Sequence, residues 1–223
     1  MTPSEQKTIP HISTYQKRLN VLDGRLHRAG LTRCVDGWIR MNGDCLFDSL
    51  ADQLIVAGLE VLRKPWLRGG REELSKTLRQ RAVACVNKKD DKTSFNAEGV
   101  PLSMFVTPNV EQWTKRMSRP GHWGDHVCLQ AIANLYGCNI VVYSSIQSWD
   151  EKGQRFVPAT TCNNNRLPTL TLGHIHEVHY ETVHRPTTAA VVASIFYSRR
   201  MISTSDNDDE DDEYMDPPGK RRR

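Results

Sequence analysis

Cys45 is the residue of this sequence whose local setting best suits nucleophilic catalysis. It closes the segment NGDC at positions 42–45, where a polar, glycine-containing turn meets an apolar pattern of helical spacing. A thiol reacts as its thiolate, and a helix N-terminus lowers the pKa of a thiol because unpaired backbone N–H groups favour an anion. The Gly43 turn could also bring N–H groups toward a developing oxyanion. The alternative is a small core residue, since free cysteine is among the most buried residue types.

A cysteine nucleophile needs a histidine base from elsewhere in the chain. His179 begins the stretch HYETV, whose alternation is typical of a strand, and a strand would hold the imidazole rigidly. His174, His176 and His179 form the pattern HIHEVH, which could instead indicate a metal site. Because no cysteine or carboxylate at matching spacing completes such a site, we expect no metal.

The helices that must position these groups are predicted by apolar residues at steps of three and four. The pattern predicts helices over 14–30, from Phe47 to near Gly58, and over 71–86, 108–119 and 126–136, the last capped by Gly137. Strands are predicted at 139–143, 155–158, 170–172 and 178–183, while 191–197 could be strand or helix. Helices come first and strands cluster late, so the predicted fold class is α+β.

The composition is that of a soluble globular protein kept in a reducing compartment. The 223 residues are 38% hydrophobic and 25% charged, and no apolar run is long enough to predict a membrane span. The N-terminus lacks the layout of a secretory signal, and the six cysteines contain no CxxC pair. We therefore expect free thiols and an intracellular location, cytoplasmic or nuclear.

The charge distribution separates a tail from a basic body. We predict a flexible leader over 1–13, a domain over 14–202 and a disordered tail over 203–223, whose eight acids and four bases bury too little apolar surface to fold. The rest of the chain has 26 bases and 18 acids, a net charge of +8, which would suit nucleic acid. The bases between Arg63 and Lys92 are spread along helical segments with few aromatics, so we expect a solvated helix face and no nucleic-acid partner.

Three segments together resemble the ovarian-tumour (OTU) cysteine proteases. MNGDCLFDSLADQL is similar to the nucleophile segment of that family, usually DGNCLFRSLADQL. The stretch from Trp113 to Tyr143 is similar to the block around the family's WGG-type turn, and EVHYETV is similar to its histidine strand, usually HYNSV or HYDSV. The segments occur in the family's order over about 31 to 185. The resemblance implies a papain-like α+β fold, with a small central β-sheet flanked by helices.

On this resemblance Cys45 matches the nucleophile and His179 matches the general base. The third member usually lies two residues after the histidine, as Asn or Asp, and this position holds Glu181, on the same strand face as His179. Its carboxylate could accept a hydrogen bond from the imidazole. A second departure lies before the cysteine: Asn42 stands where the family has Asp, and Asp44 where it has Asn. The resemblance links position 42 to the oxyanion region, where an Asn amide could donate a hydrogen bond.

The resemblance also implies a substrate. Trp123 and Gly124 could wall a channel for a Gly-Gly tail, although we favour plain core packing for Trp123. The implied reaction is hydrolysis of isopeptide or peptide bonds after the Gly-Gly terminus of ubiquitin or a ubiquitin-like protein, by a monomer without cofactors. Two alternatives remain: an inactive OTU fold that only binds ubiquitin or another partner, which the departures at 42 and 181 permit, and a nucleic-acid-associated protein.

Overall fold

The computed structural model of the chain describes residues 13–34, 39–60, 68–88, 91–146, 152–159 and 167–186. Apart from Pro186, these residues belong to one compact unit, Met1–Arg185. The predicted leader (except Ser13), the predicted tail, Cys162 and the ambiguous segment 191–197 lie outside the described residues.

The five predicted helices are confirmed, with shifts at some ends. They are α1 Thr14–Arg28, α2 Cys45–Val56, α3 Arg68–Asn87, α4 Val110–Met117 and α5 His126–Tyr136. The bounds of α5 match the prediction because both ends are marked in the sequence. The Asp125 side chain accepts from the backbone N–H of Cys128 at the start, and Gly137 adopts a left-handed φ of 57° at the end. Within the described residues, no helix combines the length and the apolar character that a membrane crossing requires.

The strands form one mixed five-stranded sheet in the order β1–β5–β4–β2–β3. They are β1 Thr32–Arg33, β2 Asn139–Ser144, β3 Gln154–Phe156, β4 Thr169–Ile175 and β5 His179–His184. The β2–β4 pair is parallel, and the other neighbouring pairs are antiparallel. The α+β class is confirmed. β1 was not predicted, because two residues carry no alternation.

Side chains of the sheet pack against helices on both faces. α1 buries Leu22 against Ile175 and Val183 in a small apolar cluster. Leu170 and Leu172 point to the opposite face from Ile175, as alternation along β4 requires, and join the main core. That core also contains the buried side chains of α2, namely Leu46, Phe47, Leu50, Ala51 and Leu54. The sheet thus fixes α2 on one side and α1 on the other.

Replacing Leu22 by alanine should lower the free energy of unfolding by about 2–5 kcal/mol, because deleting a buried leucine leaves a cavity. Leu22 is 0% exposed, whereas Tyr15 on the same helix is 38% exposed. Tyr15→Ala is therefore the matched control and should cost less than about 1 kcal/mol. Urea unfolding of the full chain, followed by circular dichroism, measures both. Equal costs would contradict the packing of α1 on the sheet.

Candidate active site

The nucleophile candidate lies at the first residue of α2. Cys45 is 5% exposed and follows a turn that is closed by its own polar groups. Asn42 Oδ1 accepts a hydrogen bond from the backbone N–H of Asp44 at 2.9 Å, and the N–H of Cys45 donates to the carbonyl of Asn42 at 3.2 Å. Since both N–H groups are used within the turn, an oxyanion role for Asn42, Gly43 and Asp44 stays a prediction.

Gly43 is required by a close approach of two backbone segments. A Cβ atom at this position would lie 1.8 Å from the carbonyl oxygen of Gly121 and 2.8 Å from the carbonyl carbon of His122. Both distances are far below van der Waals contact, and both neighbours are backbone atoms that cannot rotate away. Glycine is needed here for space, whereas the sequence had suggested conformational freedom.

Asp44 can be buried beside the nucleophile because a buried arginine offsets its charge. Asp44 Oδ1 accepts from Arg79 Nη2 at 2.7 Å and from the N–H of Gly121 at 2.9 Å. Arg79 Nη2 also donates to the carbonyls of Gly43, at 2.9 Å, and His122, at 2.7 Å. The guanidinium therefore ties α3 to the nucleophile turn and to the segment around His122.

The base candidate shares one small pocket with the thiol. The pocket is lined by six residues: Cys45, Trp123, Gly124, His174, His179 and Tyr180. The backbone N–H of Tyr180 donates to Cys45 Sγ at 3.4 Å, which places the sulfur against the start of β5. The structure thus brings the predicted nucleophile, the predicted base and both predicted channel residues together.

The resting protonation states are those of a neutral pair. Burial raises the pKa of the Cys45 thiol, although hydrogen bonds from the N–H groups of Tyr180 and Leu46 act to lower it. The expectation that the helix N-terminus gives a lowered pKa was wrong, because desolvation outweighs the N–H groups. Burial likewise lowers the pKa of His179, although the charges of Glu181 and Asp48 act to raise it. At neutral pH we therefore expect a thiol beside an uncharged imidazole.

The predicted third member is engaged elsewhere. Glu181 Oε2 accepts from Arg33 Nη1 at 2.8 Å. Nδ1 of His179 is buried and, among the residues the structure describes, has no hydrogen-bond partner. In this geometry Nδ1 of His179 therefore makes no hydrogen bond to Glu181. The orienting role of Glu181 stays a prediction.

The two channel candidates, Trp123 and Gly124, differ in their surroundings. Trp123 is 53% exposed, so the alternative that it packs in the core was wrong. Gly124 lies against α2, where a Cβ atom would come within 2.4 Å of Leu46 Cδ2. A larger residue at 124 would therefore disturb the helix that carries Cys45.

His174 and Tyr180 are pocket residues that the sequence analysis did not predict. Their rings stack with centroids 4.4 Å apart, and Nδ1 of His174 lies 3.1 Å from Ser144 Oγ. Burial lowers the pKa of His174 to about 4, which keeps the imidazole uncharged at neutral pH. Alternation could have located this residue, since Leu170, Leu172 and His174 share one face of β4.

The three histidines of the HIHEVH pattern do not form a ligand set. His174 and His179 line the pocket, whereas His176 lies in the turn between β4 and β5 and has a partly exposed side chain. Within the described ranges, no group of three or more His, Cys, Asp or Glu side chains has the geometry to hold a metal ion.

Comparison with known proteins gives matches in sequence and in fold. A family model described as OTU-like cysteine protease matches residues 40–177, a range that includes Cys45 and ends two residues before His179. The OVARIAN TUMOR DOMAIN-containing deubiquitinating enzyme 11 of Arabidopsis thaliana is 28% identical over 185 residues, covering 82% of this chain and 62% of that protein. Enzyme 9 of the same organism is 31% identical over 160 residues, covering 72% and 37%.

The solved structure of the OTUD1 OTU domain superposes with a TM-score of 0.53 at 16% identity, covering 76% of this chain and 96% of that domain. At that identity the likeness concerns the fold alone. The chain spans about three fifths and about two fifths of the lengths of the two Arabidopsis relatives.

Replacing Gly43 by alanine should lower the free energy of unfolding by about 1–3 kcal/mol, since the added methyl forces the backbones at 43 and 121 apart. Gly69 is the matched control, because it lies in an exposed part of α3 and a methyl group added there would meet nothing within 4 Å. Gly69→Ala should change stability by less than about 1 kcal/mol, in the stabilising direction. Urea unfolding compares the two, and a neutral Gly43→Ala would contradict the described contact.

Proposed function

The chain belongs to the family of OTU-like cysteine proteases, and we propose that it is a deubiquitinase. Its reaction would be thiol-dependent hydrolysis of isopeptide or peptide bonds after the Gly-Gly terminus of ubiquitin or a ubiquitin-like protein. The observation that carries the proposal is the pocket that Cys45 shares with His179, in which Sγ of Cys45 lies against the N–H of Tyr180. The names of the two Arabidopsis relatives, both deubiquitinating enzymes, support the same activity.

The mechanism follows from the two neutral groups. A ring nitrogen of His179 accepts the proton of the Cys45 thiol as the sulfur attacks the carbonyl carbon, which forms a tetrahedral oxyanion. The imidazolium then gives that proton to the leaving amine, and a thioester remains on the sulfur. Water, deprotonated by His179, hydrolyses the thioester and restores the thiol. Because the pKa of the thiol is raised and that of the imidazole is lowered, proton transfer should accompany attack.

The shape of the pocket supports a glycine tail as the substrate. Trp123 and the stacked rings of His174 and Tyr180 line the pocket that holds the sulfur, so a tail that reaches Cys45 should lie against them. Gly-Gly has no side chains, so it can enter a narrow pocket in which larger residues would collide. Trp123, which is about half exposed, offers an apolar surface over which such a tail can lie.

The monomeric state and the intracellular location are further parts of the proposal. They rest on the sequence and on the state of the thiols. Among the described residues, Cys45, Cys85, Cys128 and Cys138 are free thiols. Free thiols suit a reducing compartment, which the reaction also requires for its nucleophile.

A binding module without activity is the second candidate. It is favoured by the lack of a partner for Nδ1 of His179 among the described residues and by the engagement of Glu181 with Arg33. Such a protein would still bind ubiquitin but would not form a covalent bond with it.

An activity-based probe, ubiquitin with an electrophile at its C-terminus, separates the two candidates. The full chain should form a covalent adduct, and Cys45→Ala should form none while still binding ubiquitin. Cys34→Ala removes a partly buried thiol outside the pocket and should label like the wild type. Intact-protein mass spectrometry measures the adduct. Ubiquitin binding without an adduct in the wild type would favour the binding module.

Glu181→Ala should lower kcat by about ten- to a thousandfold, on the order of 1.4–4 kcal/mol of transition-state stabilisation, with little change in KM. Glu181→Asn should keep much more activity, because an amide can also orient the imidazole. Glu177→Gln, in the exposed turn before β5, is the control and should behave like the wild type. Steady-state kinetics on one ubiquitin substrate compare the three. Wild-type rates for Glu181→Ala would mean that another group orients His179.

A further inference from the structure

Arg33 joins two carboxylates beside the pocket. Its Nε donates to Asp23 Oδ1 at 2.6 Å and its Nη2 to Asp23 Oδ2 at 3.2 Å, so Asp23 holds the guanidinium by two bonds. The remaining arm, Nη1, donates to Glu181 Oε2 at 2.8 Å. A guanidinium fixed in this way presents its third donor in one direction, since the group is planar and rigid.

The three residues come from three elements that meet at the edge of the sheet. Asp23 lies on α1, Arg33 on the edge strand β1, and Glu181 on β5, which pairs with β1. The side chains of Arg33 and Glu181 are mostly buried, whereas that of Asp23 is about half exposed. Glu181 shares its strand face with His179, two residues away. The Arg33–Glu181 pair therefore lies between the base and α1.

Charge at this position matters because His179 is only 4% exposed. A bare carboxylate next to a buried imidazole favours the imidazolium, which cannot accept the thiol proton. An amide at the same position, as in the usual HYNSV strand, orients the ring without adding charge. Glu181 alone would therefore orient the base but also raise its pKa, so that a smaller fraction of His179 would be uncharged at neutral pH.

We propose that Arg33 is a positioning residue for the proposed reaction, holding Glu181 as a neutral ion pair that orients the imidazole of His179 as an uncharged amide would. This inference rests on the proposed function. Oε2 of Glu181 stays on Arg33, and Oε1 accepts from the ring N–H that faces away from the sulfur once the other ring nitrogen has taken the thiol proton. The bond from Arg33 to Oε2 also restricts the rotation of the glutamate side chain, which is longer than the usual Asn or Asp.

The other charges around His179 are balanced in the same manner. The titratable and charged groups that line the pocket, act on the ring by charge or pair with those groups are Cys45 and Asp48 on α2, Tyr180 and Glu181 on β5, His174 on β4, Arg33 on β1 and Asp23 on α1. Asp48 is 0% exposed and accepts from Arg40 Nη2 at 2.6 Å. Asp48 and Glu181, the carboxylates near the ring, are thus each paired with an arginine. This pairing agrees with the direction of the His179 pKa shift, which is set by burial and not by charge.

The test compares Arg33→Met with Arg33→Met/Glu181→Asn in the full chain. In the single variant the bare Glu181 charge should raise the pKa of His179, so the base stays protonated to higher pH. The acid limb of the kcat profile should then move up by about 0.5–1 pH unit, which lowers kcat by about three- to tenfold along that limb and by less at neutral pH. In the double variant no charge needs offsetting, so the acid limb should return and kcat should lie within about threefold of Glu181→Asn.

Two further variants control for losses of kcat that do not come from the charge of Glu181. Arg33→Lys keeps the positive charge and should leave the acid limb in place even if kcat falls. Arg81→Met removes a remote ion pair with Glu60 and should match the wild type in rate and pH profile. Equal losses in the single and double variants, with an unshifted acid limb, would overturn the proposal in favour of a purely structural ion pair.

A readout without ubiquitin keeps this inference separate from the proposed function. The pKa of His179 is measured by NMR titration of the imidazole C–H signals, assigned with His179→Ala. A wild type that fails to cleave ubiquitin would overturn the proposed function, and the titration would still report on Arg33. A His179 pKa that does not rise in Arg33→Met overturns the inference whatever the enzyme does.

Discussion

One buried guanidinium holds together the segments that form the pocket. Arg79 on α3 donates to the carbonyls of Gly43, His122 and Met117 and to the carboxylate of Asp44, and its guanidinium lies 4.3 Å from the ring centroid of Phe47. Each acceptor would otherwise be a polar group with little access to water, and an unsatisfied buried acceptor costs about 1–3 kcal/mol. The turn before Cys45 and the segment that leads to Trp123 and Gly124 are therefore placed by the same side chain.

This contact gives physical reasons for two departures in the sequence around Cys45. Asp44 carries a negative charge beside the nucleophile, which is tolerable because Arg79 and the N–H of Gly121 bind its carboxylate. Asn42 still accepts the N–H of Asp44 through its side-chain oxygen, as an aspartate could, so the turn keeps its shape with the two residue types exchanged. The negative charge that the family usually has at position 42 stands at position 44 in this chain, where Arg79 binds it.

The features that were predicted correctly depend on residues that are neighbours in the sequence. The caps of α5 and the β-branched run of β2 gave those elements with bounds that are correct or within a residue, and the turn-to-helix setting placed Cys45 at the start of α2. The pKa of the Cys45 thiol was predicted in the wrong direction, because burial depends on neighbours far along the chain. The partnership of Arg33 with Glu181 could not be predicted either, since a two-residue strand has no periodicity and the partners are 148 positions apart.

The link between β4 and β5 determines where His179, the base candidate, lies relative to Cys45. Three residues, 176–178, connect the strands, and Glu177 adopts a left-handed φ of 56°, which sets the pairing of Ile175 with His179. Shifting that register by one residue would exchange the faces of His179 and Tyr180, because side chains alternate along a strand. Such a slip would take the imidazole of His179 away from its present place beside Cys45 in the pocket. A three-residue link with no proposed role in the chemistry therefore decides where the base candidate lies.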